Sequence, residues 1–272
     1  VSRLIRSSIF LIFLSVLVGP STLAQQVSAR GVLGPYHDVT LSVTVSGIVS
    51  HVFPKEGDTI RAGEPIVELR NNLEALDAER RRLIWQDRTV LEQVKARFST
   101  LSDQLAHTES LYTSTHSVSE DDLQKERLQV KLAQLEVERL EMAEQQEKLD
   151  YQIAEARLEQ RTIVAPFDGV VASLSVDVGD ACTPGEAIAR IVDVSKCRLV
   201  VHVDAAASRA LHTGAAARVA VSGFGPSRTF RATIEYVAPV VDPSSGLREV
   251  KAVFDNTDGR VLPGLTGTLL SP

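Results

Sequence analysis

Residues 47 to 69 read Gly47-Ile-Val-Ser-His-Val-Phe-Pro-Lys-Glu-Gly57-Asp58-Thr-Ile-Arg-Ala-Gly63-Glu-Pro-Ile-Val-Glu-Leu69, and 122 residues later the chain reads Gly169-Val-Val-Ala-Ser-Leu-Ser-Val-Asp-Val-Gly179-Asp180-Ala-Cys-Thr-Pro-Gly185-Glu-Ala-Ile-Ala-Arg-Ile191. Aligned without a gap, the stretches share Gly47 with Gly169, Val49 with Val171, Gly57-Asp58 with Gly179-Asp180, Gly63-Glu64 with Gly185-Glu186 and Ile66 with Ile188, seven identities in 23 positions. Ile48 with Val170, Val52 with Leu174 and Leu69 with Ile191 stay apolar in phase. β-Branched runs punctuated by Gly-Asp pairs predict short strands and tight turns. A piece of this size cannot bury its own apolar face, so residues 43–71 and 162–193 are expected to pack together as two halves of one small sandwich.

Between the halves, residues 72–161 contain neither Gly nor Pro, which permits uninterrupted helices. Ile84, Leu91, Phe98, Leu105 and Tyr112 recur every seven residues, with Val94 and Leu101 at the offset positions. In the second arm Leu128, Leu135, Met142, Leu149 and Ala156 keep the same interval, with Leu132 and Ile153 beside them. Such a period predicts one apolar seam per helix and an antiparallel coiled-coil hairpin, with Met142 as a packing residue. The polar break from Tyr112 to Asp122 is its tip, and Ser119 with Asp122 is read as a helix cap. Arms of about 40 residues give a rod roughly 60 Å long.

Beyond the second half, strand-like runs at 198–204, 216–221, 228–237 and 249–254, broken at Gly214, at Gly223-Phe-Gly-Pro226 and at 242–246, predict a small β-barrel over residues 194–270. Residues 25–42 read as an extended entry segment contributing one of its strands. Residues 1–24 carry Arg3 and Arg6, an apolar run from Ile9 to Val18, and Thr22 and Ala24 at the positions that signal peptidases favour, so cleavage after Ala24 is expected. An uncleaved anchor is the alternative. It fits less well, because Gly19-Pro20 cuts the run short of a bilayer span.

The fold class is therefore mainly β with a long inserted antiparallel α-helical hairpin, a sandwich plus a small barrel in an elongated multidomain chain. A formal net charge of −6 with no basic block gives no electrostatic reason to bind nucleic acid. His37, His51, His107, His116, His202 and His212 are scattered, without the spacing of a metal site, and there is no nucleophile elbow or phosphate loop. No catalytic residue, cofactor or metal is expected. Cys182 and Cys197 are the only cysteines; in an oxidising compartment they could form a disulfide or lie buried as two separate thiols.

Ile163-Val-Ala-Pro166-Phe-Asp-Gly169-Val-Val171 with Val178-Gly-Asp180 and Gly185, preceded by Gly47-Ile-Val, Gly57-Asp58 and Gly63, resembles the lipoyl-like halves of the periplasmic adaptors, or membrane fusion proteins. Pro239, Asp242 and Leu262-Pro-Gly-Leu265 resemble the end of their β-barrel. The resemblance implies a non-catalytic, signal-bearing periplasmic protein held at the inner membrane by a transporter. It would link that transporter, of resistance-nodulation-division (RND) type first and ABC type second, to an outer-membrane channel or a partner hairpin, within a homo-oligomeric ring. The chain departs from larger adaptors where its barrel pattern finishes near Gly267 and few residues precede Val43, so their extra membrane-proximal domain is expected to be absent. Adaptors that dock a TolC-like channel carry Arg, Leu and Ser at the tip; aligned on Ser119, this chain has Thr108 and Tyr112 at the first two positions. A biotinyl or lipoyl carrier shares the half-motif but needs a lysine where this chain has Arg70-Asn71-Asn72. A structural coiled-coil envelope protein outside any pump is the remaining alternative.

Overall fold

A computed structural model describes residues 28–223 and 228–271; the leader expected at residues 1–24 lies outside them. In chain order the elements are β1 (Ser28–Ser42), β2 (Gly47–Val52), β3 (Thr59–Ile60), β4 (Pro65–Leu69), α1 (Asn72–Gln86), α2 (Thr89–Thr115) and α3 (Glu120–Glu159). There follow β5 (Thr162–Val164), β6 (Gly169–Leu174), β7 (Ala181–Cys182), β8 (Ala187–Asp204), a 3-10 turn (Ala207–Ala210), β9 (Ala216–Ser222), β10 (Arg228–Val237), β11 (Leu247–Asp255) and β12 (Thr266–Leu270). The described residues divide into two compact units, 35–195 and 28–34 with 196–271, with β1 and β8 contributing residues to each.

In the second unit the order β1-β12-β9-β10-β11-β8, completed by a β1–β8 pairing, makes a six-stranded antiparallel barrel. Alternation explains its core: Cys197, Leu199, Val201 and Val203 of β8 point inward and are buried, together with Val219, Ile234, Val250, Ala252, Phe254 and Leu269. β1 comes so close to β8 that a Cβ on Gly31 would lie 1.9 Å from the Val200 carbonyl oxygen, so only glycine fits there.

The sandwich in the first unit repeats itself hydrogen bond by hydrogen bond. β2 and β6, β3 and β7, and β4 and the start of β8 stand at the 122-residue offset. Each half pairs with the other: Gly47 and Ile48 lie opposite Cys182 and Ala181, while Ile60 and Thr59 lie opposite Gly169 and Val170. The Gly57 N–H donates to the Val171 carbonyl (2.8 Å) and the Val171 N–H to Asp58 (3.0 Å); the offset bonds, Gly179 to Val49 (3.0 Å) and Val49 to Asp180 (2.9 Å), repeat them. Gly63 and Ala165 exchange bonds with the Ala165 and Glu64 carbonyls as Gly185 and Val43 do with those of Val43 and Glu186.

Four turns share one design, in which the residue after the glycine closes the turn with its own carboxylate. Asp58 and Asp180 each accept from the N–H three residues back, at Lys55 and Asp177 (both 2.8 Å), and Glu64 and Glu186 accept from Arg61 (3.0 Å) and Thr183 (2.8 Å). Gly57 and Gly179 take φ of +90° and +101°, conformations that an L side chain resists. The core follows the same offset, pairing Val43 with Ala165, Val49 with Val171, Ile60 with Cys182, Ile66 with Ile188, Val67 with Ala189 and Leu69 with Ile191.

The two cysteines lie in different core clusters. Cys182 fills the position that Ile60 fills in the other half, and Cys197 packs in the barrel core. No disulfide joins them. Each sulfur serves as a small apolar group, and burial pushes the Cys182 thiol above its ordinary pKa.

Candidate functional site

The hairpin leaves the sandwich after β4 and returns to it at β5, so its root is fixed at both ends. Arg161 joins the parts there. Its guanidinium donates to the Ser46 carbonyl (2.9 Å) and to Glu74 Oε1 on α1 (2.5 Å), and its own carbonyl accepts from the Leu69 N–H (2.7 Å). The Asn71 amide adds a bond to Glu68 Oε1 (2.8 Å). Sequence reading missed Arg161.

The hairpin differs from the sequence expectation in four respects. First, the ascending arm is not one helix. It breaks at Asp87–Arg88, where Asp87 is extended (φ −79°, ψ 92°) and its carboxylate accepts from the Thr89 N–H (3.1 Å). Those bonds from the Thr89 hydroxyl and N–H hold the Asp87 carboxyl below its usual pKa. Neither Gly nor Pro marks the break, and the Asp87 carboxylate takes up one of the N–H groups that it frees.

Second, the inward seam of α3 is Leu123, Val130, Val137, Glu144, Tyr151 and Leu158, all buried or half-buried. The predicted seam is exposed: Leu128, Leu132, Leu135, Met142, Leu149 and Ile153 stand 47% to 69% open, and Ala156 is exposed with them. Two ladders of period seven therefore share α3, two residues apart and so on nearly opposite faces. The outward one is the richer in leucine, which is why the pattern pointed to it. On the ascending arm Leu91, Val94, Phe98, Leu101, Leu105 and Tyr112 are buried or half-buried, but Trp85 takes the place expected of Ile84. Ion pairs tie the arms at Arg81–Asp150 (3.0 Å), Arg88–Glu144 (2.6 Å), Lys95–Glu141 (3.0 Å) and Arg127–Glu109 (2.7 Å).

Third, Ser119 occupies the N-cap position of α3 with extended backbone, yet its side chain makes no capping hydrogen bond. Asp122 is engaged by Lys125 (3.4 Å), and Glu120, Asp121 and Asp122 together place negative charge on the first turn, where the helix dipole favours it. Fourth, Thr108 and Tyr112 are half-buried on the seam side, Tyr112 with its ring 5.9 Å from that of His116, whereas Ser119 is exposed. His116 ends α2 in the left-handed region (φ 50°). The outer surface of the tip is thus Thr113 to Ser117 and Ser119, a row of hydroxyls around one histidine.

The glycine and proline positions quoted from the repeat lie in the scaffold of the mount: Gly47 and Gly169 open β2 and β6, Gly57-Asp58, Gly63, Gly179-Asp180 and Gly185 make the four turns, and Pro166 follows buried Ala165 between β5 and β6. Among the described residues, no group of three His, Cys, Asp or Glu side chains could hold a metal ion, and no helix is long and apolar enough to cross a membrane.

Comparison with known proteins adds to this geometry. Residues 199–270 match the family described as CusB-like, beta-barrel domain. An uncharacterized protein of Haemophilus influenzae is 27% identical over 257 residues, covering 93% of this chain and 59% of that one. The nodulation protein NolF of Rhizobium meliloti is 24% identical over 247 residues, covering 89% and 62%. The chain thus spans about six tenths of the length of these relatives. Among solved structures, MacA from Actinobacillus actinomycetemcomitans superposes with a TM-score of 0.69 at 18% identity, over 90% of this chain and 78% of that one. The membrane fusion protein Spr0693 from Streptococcus pneumoniae gives 0.57 at 13%, over 89% and 97%. A sandwich split by a helical hairpin, followed in sequence by a β-barrel at residues 199–270 that matches the CusB-like family, gives this chain a fold like that of MacA and of the membrane fusion protein Spr0693.

Proposed function

We propose that this chain is a non-catalytic periplasmic adaptor of an export pump, linking an inner-membrane transporter of RND type to an outer-membrane channel. The observation that carries the reading is the CusB-like barrel, of a family whose name includes RND, on a chain whose other unit is a sandwich carrying a hairpin rod fixed at its root. A rod of roughly 60 Å with hydroxyls and His116 at its end suits contact with another protein rather than turnover of a small molecule. The tip residues around Ser119 are the assigned contact with the channel or with a partner hairpin, and the barrel is the assigned contact with the transporter. A cleaved leader ending at Ala24 would deliver the chain to the periplasm.

The outward ladder of α3 supports assembly into a ring. Six large apolar side chains in one stripe, each about half open or more, form a face that a monomer rarely leaves uncovered. We assign it to the neighbouring copy, with head-to-tail contacts closing the ring.

Photoreactive residues at Ser117 in the tip and at Arg209 beside the barrel strands test the scheme in intact cells. The expected result is an envelope channel or second hairpin captured from the first position and an inner-membrane transporter from the second. Capture of neither would overturn the proposal, and an ABC protein in place of an RND protein would correct the transporter class.

A further inference from the structure

The break in the ascending arm coincides with a missing residue in its heptad. The inward layers of that arm are Ala78, Trp85, Leu91, Phe98, Leu105 and Tyr112, and those of α3, in descending order, are Leu158, Tyr151, Glu144, Val137, Val130 and Leu123. α3 advances by seven residues at every step. The ascending arm does so everywhere except from Trp85 to Leu91, a step of six. The layers stay level on both sides of it: Trp85 stacks on Tyr151 (centroids 5.5 Å, planes 12° apart), Arg88 pairs with Glu144, and Glu109 pairs with Arg127 near the tip.

In an unbroken helix a six-residue step would turn Leu91 about 100° away from α3 and leave the arm about 1.5 Å short. One extended residue supplies both the missing rise and the missing turn. Five helical steps and one extended step come to about 11 Å, against about 10 Å for the seven residues of α3 beside them. The extended residue is Asp87, within that step. A groove of about 510 Å³ opens at the same place between Leu83, Ile84, Val90, Leu91, Leu140 and Ala143, and the buried Trp85 indole N–H, two residues before Asp87, has no hydrogen-bond partner among the described residues.

We infer that Asp87–Arg88 is a phase-correcting joint, produced by the one-residue deficit between Trp85 and Leu91, and that it is where the hairpin bends. The inference holds whatever the tip meets, so it stands or falls separately from the adaptor reading.

Hydrogen exchange on the whole protein tests it first: amides 88–91 should exchange at least tenfold faster than those of residues 98–105 and 137–144, and equal protection would overturn the joint. Inserting one alanine between Gln86 and Asp87 restores the step of seven. The expected result is at least tenfold slower exchange through the former break and a thermal midpoint raised by several degrees, while the same insertion between Thr100 and Leu101 lowers the midpoint. Unchanged exchange with a lowered midpoint in the first variant would overturn the phase argument. Asp87→Ala keeps the deficit and should leave these amides fast; if it alone protects them, the Asp87 side chain and not the phase makes the break. Trp85, the only tryptophan in the chain, gives each variant a fluorescence signal at the joint.

Discussion

The two halves of the sandwich and the two arms of the hairpin are both matched pairs, but they are matched by different rules. In the sandwich equivalent positions stand 122 residues apart and the backbone bonds themselves repeat, so Val49 and Val171 donate to equivalent carbonyls at 2.9 Å and 3.0 Å. In the hairpin the arms meet only through side-chain layers, and one arm runs a residue short without losing its partner. Backbone pairing fixes position residue by residue, because a slip of one turns every side chain to the wrong face. Layers of side chains fix only the spacing of the layers, and a local break can restore it.

Four measurements would break or sharpen that comparison. The largest effect is expected in the sandwich core, where Ile66 and Ile188 are both fully buried at equivalent positions. Ile66→Ala and Ile188→Ala should each cost about 2–5 kcal/mol in urea unfolding, and values that differ by more than about half would show that the halves are not energetically equivalent. Next comes the root: Arg161→Ala should cost about 1–3 kcal/mol, less than a fully buried pair because a fifth of the side chain meets solvent. Exchange should rise around residues 69–75. Arg161→Lys should not restore protection, since one ammonium cannot replace two separately aimed nitrogens. A smaller effect is expected at the turns. Nothing lies within 4 Å of a Cβ at Gly57 or Gly179, so Gly57→Ala and Gly179→Ala carry only the left-handed backbone cost, about 1–2 kcal/mol each. The smallest change belongs to the outward ladder: Leu135→Ala with Met142→Ala should move monomer stability by less than about 0.5 kcal/mol per site. Ring assembly, read by analytical ultracentrifugation, should fall sharply; unchanged assembly would remove the ladder from the interface.

The difference in matching rules also decides what could be read from the sequence. Gly57-Asp58 and Gly179-Asp180 announced the sandwich because each turn needs a glycine with positive φ and a carboxylate one residue later, and those demands leave identities behind. The helices of the hairpin were equally plain. Their facing was not, since α3 carries two ladders of the same period and Glu144 and Tyr151 make the inner one look less apolar than Leu128, Leu135 and Leu149 make the outer. The joint at Asp87–Arg88 left no Gly or Pro to mark it; only the six-residue interval between Trp85 and Leu91 could have shown it, and the choice of Ile84 as a layer residue concealed that interval. Arg161 was unreadable because its partners, Ser46 and Glu74, are distant in sequence. At the tip, Ser119 held the position of a cap without acting as one through its side chain.

The hairpin enters and leaves its mount between Leu69 and Thr162, and the mount's bonds within the two halves involve no residue of the rod beyond its root. Its length is therefore an independent variable in the evolution of such chains. Adding or removing seven residues in each arm would change the reach by about 10 Å while leaving the sandwich untouched, so a lineage could fit the same mount to envelopes of different depth. A joint that absorbs a single-residue deficit makes even unequal changes in the two arms survivable.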